Sequence, residues 1–148
     1  MSGSDGDGAR EAIAGLIFGY AERIDAGDLA GVAALFRNAT YRSAQGGTYR
    51  DSGAVLDVLT RLVILHADGT PRTKHVTTNL VIDVDAAGGS ATARSYFTVL
   101  QAADGFPLQP IVAGRYHDRL VRDAGVWRFE DRLIYMELIG DLGRHLRR

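Results

Sequence analysis

Residues 72–85 read RTKHVTTNLVIDVD, and how this stretch is read decides the architecture. Val76, Leu80, Ile82 and Val84 recur at even positions, the period-two signature of a half-buried β-strand. His75, Thr77 and Asn79 fall on the opposite parity. A histidine at the head of such a strand has two readings. On a solvent-facing sheet surface it needs no role. Lining a pocket it is a base, because a neutral imidazole, with an ordinary pKa of about 6.5, accepts a proton at working pH.

Working outward, residues 91–102, 111–122 and 126–137 are expected to be further long strands. The connection RDAGVW is short and contains Gly, which predicts a hairpin. Upstream the period changes. Ile13, Leu16, Ile17, Tyr20 and Ile24 are spaced for an amphipathic helix. Gly27 suits its left-handed end and Asp28 can cap a short second helix, LAGVAALF. Two brief extended pieces flank Gly46 and Gly47. A third helix, with Ser52 as its expected cap, carries Val55, Leu56, Leu59, Leu62 and Val63 inward. The pattern predicts an α+β domain: three N-terminal helices on a strongly curved, mainly antiparallel sheet. Strand twist accumulates over strands this long, so bulges would let the sheet curl into a cone with an interior. A chain should bind small molecules there. If the apolar parity of residues 76–84 faces outward, either a bulge near Asn79 swaps the faces or the sheet packs on another copy, and a homo-oligomer, trimer or dimer, is the expectation.

With 148 residues there is room for one core, and the expected limits are a disordered lead-in at 1–8, a domain at 9–140 and a basic tail at 141–148. A formal net charge of −1 argues against nucleic acid as a partner. The absence of cysteine excludes disulfides, thiolate nucleophiles and Cys-based zinc sites. No HxH or HxxxH spacing suggests another metal, and no G-x-G-x-x-G loop suggests a nucleotide cofactor. No run reaches the roughly 20 apolar residues of a membrane span. The start of the chain lacks the charge and apolar pattern of a signal peptide. A cytoplasmic enzyme or binding domain is the expectation.

The strings YAERIDAGDLAGVAALF, RTKHVTTNLVIDVD and GRYHDRLVRDAGVWRFEDR together resemble the SnoaL-like branch of the NTF2-like superfamily, over about residues 9–140. That superfamily folds as an α+β cone and includes dehydratases, a dehydrochlorinase, polyketide cyclases and many non-catalytic domains. The resemblance implies that Asp25 and His75 form a catalytic dyad. A carboxylate on one imidazole nitrogen would fix the tautomer and stabilise the imidazolium. Tyr20 stands where the dehydratase members carry a substrate-polarising tyrosine and the dehydrochlorinase a lysine. Tyr41 resembles a pocket tyrosine, and Arg132 matches a cavity arginine able to stabilise an oxyanion. Asn79 and Thr73 flank His75 and are candidates to orient substrate. The implied activity is a lyase or isomerase, dehydratase-like and without a cofactor, acting on a small hydrophobic, cyclic compound. Two alternatives stay open: a non-catalytic ligand-binding or association module, and a polyketide cyclase acting through Asp118.

Overall fold

Ile13, Ile17, Tyr20 and Ile24 are all buried, and they define the inner stripe of the first helix, α1 (Gly3–Asp25), in the computed structural model, which describes residues 3–147. The helix therefore begins inside the stretch expected to be a lead-in; once Ala9 and Ile13 are anchored, each further residue adds a helical bond at little cost. It stops at Asp25 because Gly27 turns left-handed, with φ of 78°, and its N–H bonds back to the Ile24 carbonyl. Asp28 caps α2 (Leu29–Ala34) by accepting the Gly31 N–H at 2.9 Å. β1 (Thr40–Ser43) and β2 (Thr48–Arg50) form a small antiparallel pair before α3 (Asp51–Leu62). Ser52 does not cap α3; Asp51 accepts the N–H groups of Asn38 and Ser52 instead.

Four long strands follow: β3 (Thr73–Val84), β4 (Ser90–Ala103), β5 (Phe106–Asp123) and β6 (Val126–Ile139). The sheet order is β2-β1-β6-β5-β4-β3, antiparallel throughout except that β1 runs parallel to β6. Register shifts in β3, β4, β5 and β6 bend the sheet around α1, which packs on β3 and β6. This is the curved α+β cone that the strand lengths predicted. No helix among the described residues is long and apolar enough to cross a membrane.

The parity of β3 differs from the simple alternation. Asn79 sits at φ 53° in a bulge, with a register shift between Thr78 and Val81. Before it, Thr73, His75 and Thr77 point inward and Val76 is exposed; after it, Leu80, Ile82 and Val84 point inward and join the core. A period of two gains one residue at the bulge and the faces exchange. Val76 is therefore on the opposite face from its expected companions. Leu80, Ile82 and Val84 need no second copy of the chain to cover them, which removes most of the expected reason for assembly. What stays outside is Val76 with Tyr96 and Leu138.

The C-terminal residues 141–147 do not form a solvated tail. Leu146 pairs with Val63, the Ile64 N–H donates to the His145 carbonyl at 2.8 Å, and the Arg147 N–H donates to the Leu62 carbonyl at 2.8 Å. The segment folds back over the end of α3, and Leu142 and Leu146 pack on the core.

The turn after α1 holds Asp25 in place, so it is a test of the architecture. A Cβ on Gly27 would stand 2.0 Å from the Gly69 carbonyl oxygen, in a backbone conformation that L-residues rarely adopt. Gly27→Ala is expected to lower unfolding free energy by more than about 2 kcal/mol in urea denaturation, from strain and backbone clash together. A change within about 0.5 kcal/mol contradicts this packing.

Candidate functional site

The last residue of α1 and the head of β3 meet through one carboxylate. Asp25 Oδ2 accepts the backbone N–H of His75 at 2.8 Å, and Oδ1 lies 2.6 Å from His75 Nδ1. Thr73 donates its hydroxyl to Oδ1 at 2.9 Å. Burial pushes the Asp25 carboxyl up, but the hydrogen bonds and charge of His75, with the Thr73 bond, together bring it below its ordinary value. Asp25 is therefore ionised at neutral pH and has no proton to give. His75 Nδ1 must carry the hydrogen of this contact, so that in the neutral ring the lone pair lies on Nε2. Thr73, a candidate substrate contact by sequence, is 3% exposed and orients the carboxylate instead.

His75 lines a cavity of about 290 Å³ inside the cone. Ile24, Leu59, Phe97, Val99 and Met136 make most of its wall apolar. Its polar lining includes Tyr20, Tyr41 and Tyr116. The hydroxyls of Tyr20 and Tyr41 are 2.7 Å apart, so one donates to the other and the second hydrogen remains available. Burial raises the pKa of Tyr20 and pushes those of Tyr41 and Tyr116 well above the ordinary value, so all three stay protonated as donors at neutral pH. Tyr116 stacks on Phe97 at 4.5 Å and meets Tyr20 edge-on at 5.8 Å.

Arg132 is placed differently from the cavity cation that the resemblance implied. It is fully buried, and its guanidinium makes two bonds to Asp118, at 2.7 and 2.9 Å. Its cation lies 3.8 Å from the Tyr116 ring centre and 4.3 Å from that of Tyr20. Burial lowers its pKa, but Asp118 outweighs this and the guanidinium remains charged. Arg132 thus stands behind the tyrosines and supports them, rather than lining the cavity itself. Asp118 has both carboxylate oxygens engaged by that arginine. Asn79 is a correction: it is exposed at the bulge on the outer face, because a side chain at a bulge follows the kink and not the strand parity. Asp25, His75, Tyr20 and Tyr41 are brought together as the sequence suggested.

One cavity residue escapes a local reading of the sequence. His145, in the folded-back C-terminal segment, is 5% exposed, lines the cavity and stands with its ring 5.8 Å from that of His75. The segment is fixed through the Arg144 carbonyl, which accepts from Gln101 and from His66 at 2.9 Å each. Burial and then the charge of His75 lower the His145 pKa to about 4, so the ring is neutral at pH 7. The string RHLRR looks like a solvated basic end; the available signal was Leu142 and Leu146, four residues apart around the histidine. Among the described residues no three His, Asp or Glu side chains form a group able to hold a metal.

The low His145 pKa has a consequence for stability. Between about 4 and the ordinary 6.5 the unfolded chain binds more protons at this site than the folded one, so stability rises with pH across that window. The contribution is complete above 6.5 and is lost as pH falls towards 4. Asp25, lowered from 3.8, acts only below that value. Urea titrations of wild type between pH 7 and pH 4.5 are expected to show a loss that His145→Phe largely abolishes. An unchanged slope in the variant contradicts the assignment.

Comparison with known proteins agrees with this fold. A family model described as a SnoaL-like domain matches residues 8–132. No curated protein matches the chain by sequence. Among solved structures, a Mycobacterium tuberculosis protein of unknown function, Rv3472, is 27% identical, with a TM-score of 0.74 over 93% of this chain and 77% of its own. An NTF2-like protein with a cystatin-like fold from Novosphingobium aromaticivorans is 23% identical, with a TM-score of 0.72 over 86% and 80%. A hexachlorocyclohexane dehydrochlorinase of the LinA type from Novosphingobium barchaimii is 22% identical, with a TM-score of 0.74 over 93% and 92%. At such identities the last two likenesses concern the fold. Because the family model runs over most of its length, the chain belongs to the SnoaL-like domain family.

Proposed function

We propose that the domain is a lyase or isomerase, without a cofactor, in which His75 removes a proton from a small hydrophobic, cyclic substrate held in the cone. The observation that carries this reading is the 2.6 Å contact between Asp25 and His75 at the wall of an apolar cavity. The lone pair on His75 Nε2 takes a proton from carbon next to a carbonyl or a leaving group. The C–H electron pair becomes an enolate or the new double bond. Asp25 stabilises the imidazolium formed in that step. The free hydroxyl hydrogen of the Tyr20–Tyr41 pair donates to the oxygen that gains charge. In a dehydration the proton on His75 passes to the departing hydroxide, which leaves as water. In an isomerisation it returns to a different carbon. Either way the enzyme ends neutral at His75 and no outside reactant is consumed.

The apolar wall supports the reading by excluding water, which strengthens these contacts. The name of the Novosphingobium barchaimii structure belongs to the same broad class, elimination from a ring. A cyclase acting through Asp118 is disfavoured, since both oxygens of that carboxylate are committed to Arg132.

The test does not require the natural substrate. In D2O, exchange of the protons next to the carbonyl of α-tetralone and related cyclic ketones is followed by NMR. Wild type is expected to accelerate exchange, and His75→Ala to slow it by about 10²–10⁴-fold with its circular dichroism unchanged. Asp25→Asn is expected to lose much of the same rate. Equal exchange by His75→Ala contradicts the base assignment. Exchange no faster than buffer across the whole panel leaves the domain a binding module.

The proposal extends to a homo-oligomer, trimer or dimer, joined through the outer sheet face, where Tyr96 and Leu138 are 54% and 72% exposed. Light scattering at micromolar concentration is expected to give a multiple of the chain mass, and a monomer mass overturns it.

A further inference from the structure

Buried polar groups in folded chains nearly always have a partner, so each exception asks for a reason. His145 is such an exception. It lines the same cavity as His75, is 5% exposed, and among the described residues its side chain makes no hydrogen bond. Nδ1 is sealed without a partner and His145 lines the cavity, which leaves Nε2 as the nitrogen able to meet a ligand there. Orphaned N–H donors are rarer than under-satisfied acceptors, which favours the tautomer with its hydrogen on Nε2. The ring is also held rather than loose. The His145 carbonyl accepts from Ile64, its N–H donates to Leu142, and its neighbour Arg144 is fixed by Gln101 and His66. A fixed, neutral donor aimed into an apolar cavity is how a binding site distinguishes an oxygenated ligand from a plain hydrocarbon.

We propose that His145 is a specificity-determining residue whose Nε2–H donates to an oxygen of the ligand, so that the site takes small ring compounds bearing two oxygen functions, one met by the Tyr20–Tyr41 pair and one by His145. This rests on the reading of the cone as a substrate site and goes further by naming the substrate class. Fully halogenated or unsubstituted rings leave the His145 donor unpaired and bind less well. Neutrality is part of the arrangement: burial keeps the ring uncharged, so the ring donates a hydrogen bond without placing a cation beside His75.

The experiment compares α-tetralone, with one oxygen, with its monohydroxylated derivatives, with two, by titration calorimetry. In wild type the best hydroxytetralone is expected to bind about 3- to 10-fold more tightly than α-tetralone, the worth of one neutral hydrogen bond to an otherwise unpaired group. In His145→Phe the ratio is expected to fall to about one, and His145→Gln, which retains an N–H donor, to restore part of it. A ratio near one in wild type, or an unchanged ratio in His145→Phe, overturns the proposal. Because the phenylalanine variant can fail to fold, the wild-type chain supplies a second reading. The His145 Nε2 resonance in ¹⁵N NMR is expected to move with the hydroxytetralone and not with α-tetralone, and equal movement with both overturns the assignment. The outcome is separable from that of the base mechanism. Binding ratios involve no proton abstraction, so loss of the His75 assignment leaves them in place, and loss of the ratio leaves His75-dependent exchange in place.

Discussion

One carboxylate joins the two halves of this domain. Asp25 ends the helical layer, and its two oxygens accept from the backbone and ring of His75 and from Thr73 at the head of the sheet. Burying a carboxylate is unfavourable, and here three hydrogen bonds and a partner able to carry positive charge outweigh that cost. The contact has structural and chemical consequences at once. It fixes where α1 meets β3, and it fixes which imidazole nitrogen carries hydrogen. The proposed proton abstraction depends on the second consequence, because only an unprotonated Nε2 can act as a base.

Much of this arrangement is legible in the chain. The change from helical spacing at residues 13–24 to alternation after residue 72 specifies helices first and strands second, and the strand lengths require curvature. His75 on the minor parity, with Asp25 at a helix end marked by Gly27, could be read because both lie in strongly periodic segments. At Asn79 the sequence left two readings, a bulge that swaps the faces or a second copy that covers them, and the structure has the bulge, at a residue type that tolerates left-handed backbone, with Val76 and Leu80 on opposite faces. Arg132 was not legible in this way. Its partner Asp118 lies opposite it on the neighbouring strand, and a pairing between strands depends on register, which spacing within one strand does not contain. His145 was hidden because its position depends on a chain reversal that docks residues 141–147 on the end of α3.

The cavity wall also explains how charge is distributed in the core. The Arg132–Asp118 pair, both members sealed from solvent, lies behind Tyr20 and Tyr116 with the cation against their ring faces. A buried pair of this kind is a poor source of stability relative to apolar side chains, yet removing one member is expensive, so it acts as a fixed element of the core. It holds two cavity tyrosines in position without presenting a free charge to the ligand. The polar groups that do face the cavity are neutral phenols and a neutral imidazole, with His75 beside them. An apolar chamber lined in this way suits a neutral ring compound and not an anion.

The tautomer of His75 is the most direct test of the account. Selective ¹⁵N labelling of histidine, with NMR of the ring nitrogens near neutral pH, reads it in the intact protein. The account predicts hydrogen on Nδ1, its proton shifted downfield by the bond to Asp25, with Nε2 the nitrogen left unprotonated in the neutral form. A ring carrying its hydrogen on Nε2, or one averaging freely between the two forms, would contradict it.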